Sequence, residues 1–216
     1  MNRPVSLRNF AAPLIVLALV TGCTREGAIA EGGINAVRSA CPVVGVPAGT
    51  GDITLFDPAT SRDASAIDVT AVLTNVSSTC AETGDQIVTN VAFDVFARRR
   101  DAGAARDVTL PYFITVVRGG ESVIAKRVGH VTVHFDAGQQ RASAQATASS
   151  SVARAAATLP EEVRRRLTER RRAGDADAAV DPLTDPSVRQ AVLSATFEAM
   201  VGFQLTEDQL RYNATR

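Results

Sequence analysis

Phe113-Ile114-Thr115-Val116-Val117-Arg118-Gly119-Gly120-Glu121-Ser122-Val123-Ile124-Ala125-Lys126-Arg127-Val128 is the stretch that decides the fold. Two runs rich in β-branched residues flank a Gly-Gly pair, the pattern of a β-hairpin. Working outward, the same signature recurs on both sides. Val131, Val133 and Phe135 alternate with His130, Thr132 and His134. Upstream, Val91, Phe93, Val95 and Ala97 alternate with Asp94 and Arg98, and Ile67, Val69, Ala71 and Leu73 with Asp68, Thr70 and Thr74. Successive strand side chains point to opposite faces, so a period of two describes antiparallel strands with one buried and one wet face. Several such strands at short spacing predict a mainly β protein, an immunoglobulin-like antiparallel β-sandwich.

The carboxyl-terminal third is mixed. Arg141 to Ala157 is biased toward Ala and Ser; its alternation favours a strand, although Ala also suits a helix. Thr158-Leu159-Pro160-Glu161 has the form of a capping box and predicts a helix over 159–172, ending before Gly174. An acidic loop, Asp175 to Pro186, follows. Ala195 to Thr206 then alternates as a late strand, with 185–195 open to a preceding helix. Thr206 and Gln209 repeat the capping pattern for a short terminal helix. The 159–172 helix and its acidic loop are expected to form an insertion outside the sheets.

The amino terminus carries an address. Arg3 and Arg8 precede an apolar run, Phe10 to Val20, and no acid appears before Glu26. That run is about eleven residues, against roughly twenty for a spanning helix. A basic start, a short apolar core and small residues before a cleavage point describe a signal peptide over 1–22. Its end, Val20-Thr21-Gly22-Cys23, resembles the lipobox of bacterial lipoproteins. The resemblance implies acylation of Cys23 with diacylglycerol and a palmitate-type chain, and hence a lipid bilayer as partner. Thr24 is not the aspartate that resembles an inner-membrane retention signal, so an outer membrane lipoprotein facing the periplasm is expected. Residues 23–40 read as the lipidated cysteine and a flexible linker, and 41–216 as a single domain.

Loss of residues 1–22 from the 216 leaves 194 and removes two arginines and no acid. The 23 basic residues become 21 against 23 acidic, a net charge of −2, which argues against a nucleic-acid partner. Tryptophan is absent, so a stacking platform for bases or sugars is disfavoured. Beyond Cys23 only Cys41 and Cys80 remain, and outside the reducing cytoplasm they predict a disulfide. No Cys-x-x-Cys motif suggests a redox pair.

His130 and His134 share a strand face about 13 Å apart, too far for one zinc ion, whose ligand nitrogens each lie at about 2 Å. Asp175, Asp177, Asp181 and Asp185 lack the Gly and Glu of a calcium loop. Gly49-Thr50-Gly51 lacks the third glycine of a dinucleotide fingerprint and reads as a turn. No serine-hydrolase or zinc-protease motif occurs, so a non-catalytic module without a cofactor is expected. The runs Arg98–Arg100, Arg164–Arg166 and Arg170–Arg172 are dense in cation. Arg165, Arg166, Arg170 and Arg171 are the candidates for contact with an envelope protein or anionic polymer, since guanidinium groups match phosphate and carboxylate. The alternative function is a carrier or sensor of a small apolar ligand within the sandwich.

Gly51-Asp52-Ile53-Thr54-Leu55-Phe56, Ser61-Arg62-Asp63-Ala64-Ser65-Ala66-Ile67-Asp68, Ala155-Ala156-Ala157-Thr158-Leu159-Pro160 and Val201-Gly202-Phe203-Gln204-Leu205-Thr206 resemble a group of α-proteobacterial lipoproteins. The resemblance implies an envelope location; the group has no assigned activity, so no functional residues follow from it.

Overall fold

A computed structural model describes residues 29–30, 33–34, 39–169, 174 and 180–215. Contacts divide the chain into two units, Met1–Ala36 and Val37–Arg216. In the first, β1 (Ile29–Ala30) pairs antiparallel with β2 (Gly33–Ile34), so the segment read as a linker carries a small element of its own. Cys23 and the expected signal peptide lie outside the described residues.

The second unit is built from β3 (Val43–Gly45), β4 (Asp52–Phe56), β5 (Ile67–Thr83), β6 (Gln86–Arg99), β7 (Arg106–Arg118), β8 (Ser122–Phe135), β9 (Arg141–Ala153) and β10 (Phe197–Phe203). They form two four-stranded sheets, ordered β3-β10-β7-β8 and β4-β5-β6-β9. Strand accounts for about half of the described residues, and the architecture is sandwich-like, with one sheet curled into a half-barrel. All the pairings within these sheets are antiparallel except that of β3 with β10.

The alternation read in the sequence becomes the core. Val69, Val91, Phe93, Val95, Leu110, Val133, Phe135, Val201 and Phe203 are buried between the sheets. A fully buried side chain of this size contributes roughly 1.5–3 kcal/mol, so these rows fix which face of each strand turns inward. The Arg118-Gly119-Gly120-Glu121 hairpin is present, with Arg118 opposite Ser122 and both glycines at positive φ. β9 approaches the β7–β8 pair by a different device. The Tyr112 hydroxyl donates to the Thr147 carbonyl at 2.9 Å, and its ring occupies the space a side chain at Gly129 would need.

The helical segment departs from expectation. β9 runs to Ala153 and passes into the short α1 (Arg154–Ala157). The Thr158 hydroxyl donates back to the Arg154 carbonyl at 2.8 Å, so it closes α1 instead of capping the next helix. Leu159 precedes a proline, a position that disfavours helical backbone. Helix α2 therefore begins only after Pro160 and spans Glu161–Thr168. Glu169 is extended, so the expected reach to residue 172 is cut back; residues 170–173 lie outside the described set. Val163 and Leu167 are half-buried, as the narrow apolar stripe requires. Helix α3 (Pro186–Ser194) then leads into β10, and α4 (Glu207–Thr215) closes the chain. The second capping box is formed: the Thr206 amide donates to Gln209 Oε1 at 2.9 Å and the Gln209 amide to Thr206 Oγ1 at 3.3 Å. Asn213 of α4 donates to the carbonyls of Gly49 and Asp52, and Tyr212 meets Phe56 edge-on, which braces α4 against β4.

Candidate binding surface

The residues singled out from sequence separate into those with structural work and those without. Cys41 and Cys80 form the disulfide, with Cα atoms 6.0 Å apart. They pack beside Ile87, Val116, Val152, Ala157 and Phe197, a second apolar cluster at one end of the sandwich. His130 and His134 both stand on the wet face of β8. His134 Nδ1 lies 2.6 Å from Asp107 Oδ1, and that hydrogen bond holds the imidazole above its ordinary pKa. Among the described residues no three His, Cys, Asp or Glu side chains converge as metal ligands. Asp181 and Asp185 act as caps, accepting from the amides of Leu183 and Ser187. Asp175 and Asp177 lie outside the described residues.

The candidate anion-contacting arginines differ in their surroundings. Arg166 is spent on Asp185, at 3.0 Å, and Arg164 is paired with Glu161. Arg165 is exposed, while Arg170 and Arg171 lie outside the described residues. Two bonds from Ser187 hold Asp185 at a pKa of about 2, with Arg166 adding to them. Arg166 of α2 thus meets the residue that caps α3, and one of the helix's cations serves that junction.

The other arginine run behaves differently at each residue, because β6 alternates to its end. Arg99 follows Val95 and Ala97 on the inward face and is only 2% exposed. Its guanidinium donates to the carbonyls of Gln139, Ala104, Gly103 and Asp136 at 2.7–3.1 Å, and it lies over the Phe135 ring. Arg99 thus stands apart from its two neighbours in the run, Arg98 and Arg100, which are exposed. Arg100 pairs with Asp101 and reaches the Ser65 carbonyl.

Arg98 is turned outward. Directly opposite it on β9 stands Arg141, and on β5 Thr70. Both arginines are exposed, and no carboxylate of the described residues lies within ion-pairing distance of either. Like charges directly opposite in a sheet are destabilising, so this juxtaposition costs stability as it stands. The nearby acids are engaged elsewhere: Asp68 with Arg106 at 2.6 Å, and Asp94 with the amides of Asn75 and Gln145, which lower its pKa.

The next outward row along the same strands is apolar. Val72 and Phe96 face each other across β5 and β6 and are 41% and 49% exposed. Together with Asp52, Thr54, Thr70, Ala142 and the two arginines they line an open groove of about 330 Å³. Asp52 closes the far end beside α4 and is itself engaged. A second recess, at the foot of α2, has Arg154 as its cation, and that residue is already held by Gly84 and Glu82. The first groove thus combines guanidinium groups without a carboxylate partner among the described residues, exposed aromatic surface and hydroxyl groups, the composition of a binding surface.

Sequence reasoning had Arg98 but not Phe96, Val72 or Arg141. Phe96 left a signal, since it falls out of phase with Phe93 and Val95 and so had to face water. Arg141 left none, because only the β6–β9 register places it. No protein-family model matches this chain, and no curated protein matches it in sequence.

Proposed function

We propose that the protein is a lipid-anchored module of the bacterial cell envelope. It is tethered in the outer membrane through acylated Cys23 and faces the periplasm. There it binds an envelope protein or polymer without catalysis, on the outer face of the β4-β5-β6-β9 sheet. The observation that carries the reading is the contrast between the two sides of that sheet. Its inner side is filled by Ile53, Val69, Val95 and Phe93, all at most 2% exposed, so little room is left for a ligand between the sheets. Its outer side leaves Phe96 and Val72 exposed beside two guanidinium groups that have no carboxylate partner among the described residues. An exposed apolar pair rimmed by hydroxyl and guanidinium groups has the composition of an interaction site. This disfavours the alternative of an apolar ligand carried within the sandwich.

The anchor is tested by metabolic labelling with palmitate. Label should enter the wild-type chain and leave the membrane fraction with Cys23→Ala; absence of label from the wild type rules the anchor out. The binding face is tested by a photoreactive residue in place of exposed Ser143, beside Phe96 in the β6–β9 register. Crosslinking in cells should give a discrete adduct there and none from the same group at Val123, on the other sheet.

A further inference from the structure

We propose that the groove takes an acidic peptide segment in which a carboxylate and an apolar side chain lie two residues apart. This rests on the reading of the outer sheet face as the binding surface and names its ligand. Three observations carry it.

The first is charge. Arg98 and Arg141 have no carboxylate within 4 Å among the described residues, as is also true of Arg127, Arg165 and Arg189, but unlike Arg127 they stand directly opposite each other in the sheet. An incoming carboxylate relieves their mutual repulsion and satisfies fork-shaped donors that match it bidentately. The second is spacing. The arginine row and the Val72–Phe96 row are successive outward positions of the same strands, so they are separated by two residues of extended chain, about 6.6 Å. A peptide lying extended over the groove has that same interval between side chains on one face. A carboxylate over Arg98 and Arg141 therefore places the neighbouring same-face side chain over Phe96. The groove volume of about 330 Å³ accommodates a few side chains of a segment lying over it.

The third is position. The described body begins at Ser39, and Cys41 is joined to Cys80, which lies opposite Thr89 of β6. Arg98 is nine residues further along β6, roughly 30 Å at the rise of a strand. The groove therefore lies toward the end of β6 remote from the point where the chain enters the body, open to a partner that approaches from that side.

The test uses the full lipidated chain in detergent micelles and fluorescence anisotropy with labelled peptides. One probe carries Leu-Thr-Glu flanked by Gly and Ser; its counterpart carries Gln for Glu. The Glu peptide should bind at least about tenfold tighter than the Gln peptide, with an affinity that falls as salt is raised. Arg98→Gln and Arg141→Gln should each weaken it about tenfold, and Phe96→Ser several-fold, with Arg189→Gln as the unaffected control. Unchanged far-ultraviolet circular dichroism and melting temperature confirm that the variants are folded; if Phe96→Ser melts early, Phe96→Leu replaces it and should retain most of the binding. Equal binding of Glu and Gln peptides overturns the proposal. So does binding to phosphatidylglycerol vesicles, but not to phosphatidylcholine vesicles or peptides, that is lost in Arg98→Gln; that outcome assigns the groove to lipid. If no peptide binds while Ser143 still crosslinks in cells, the ligand is wrong and the binding face stands. If peptides bind through Arg98 and Arg141 while Ser143 captures nothing in cells, the groove chemistry holds and the envelope role falls.

Discussion

At one end of the sandwich, Cys41 and Cys80 join the entry to β3 with β5, across the two sheets. At the other end, Arg99 gathers the carbonyls of residues 103, 104, 136 and 139, from two separate turns. Both devices hold loops that the core does not reach, but by different physics. The disulfide persists when the chain unfolds, and in the chain-entropy account its effect is to narrow the unfolded ensemble. Arg99 exists as a tie only in the native state, where it satisfies acceptors that water would otherwise have to serve. One end is secured by what unfolding cannot undo, and the other by what folding alone assembles.

The sharpest way to break that comparison is to remove each device in turn. Replacing Cys41 and Cys80 together with Ser opens a loop of 39 residues' separation. The expected loss is about 4 kcal/mol on the chain-entropy account, read from urea denaturation. Because the unfolded state then expands, the denaturant slope should rise as the midpoint falls. A loss below about 1 kcal/mol would show that the apolar cluster around the disulfide holds that end unaided.

Arg99→Met comes next. It keeps much of the apolar stem over Phe135 but leaves several carbonyls without their donor, an expected loss of about 3 kcal/mol. The slope should stay constant, because the change acts on the native state. Arg99→Lys should recover little, since one ammonium cannot span acceptors from two turns. Full stability in Arg99→Met would mean that the 101–105 and 136–140 turns hold themselves.

The smallest effect belongs to the flank, where Asp185 caps α3 and meets Arg166. Its pKa is lowered from 3.8 to about 2, chiefly by the Ser187 hydroxyl, then by the Ser187 amide. A depressed folded pKa contributes stability above the unfolded value and loses it as pH falls through the folded one. The wild-type advantage over Asp185→Asn should therefore shrink between about pH 4 and pH 2 and be flat above it. An advantage that persists unchanged at about pH 2 would place the stabilisation in geometry and not in charge.

How far these features could be read from the sequence depends on whether the responsible interaction is local. Val91 to Ala97 gave away its strand because one face had to be dry, and the Gly119-Gly120 hairpin because few other residues take positive φ. The disulfide followed from counting. Arg99 was legible in principle, since the same period that buries Val95 and Ala97 also turns it inward; grouping three arginines by charge hid the phase. Thr158 failed for a subtler reason. Its hydroxyl had two competing uses, and β9 continuing as far as Ala153 decided between them. The pairing of Arg98 with Arg141 was out of reach, because it depends on a register between strands more than forty residues apart.

The position of Cys41 also governs how the molecule would carry a pull. β3 is three residues long and lies parallel to β10, so tension arriving from the amino-terminal side would, without the disulfide, fall on that short strand first. Cys41 stands two residues ahead of it and diverts the load through a covalent bond to Cys80, inside the long β5 of the opposite sheet. There the force runs along a strand zipped to β6, where many rungs share it, and the segment closed between the two cysteines, with β3 and β4 in it, is left slack.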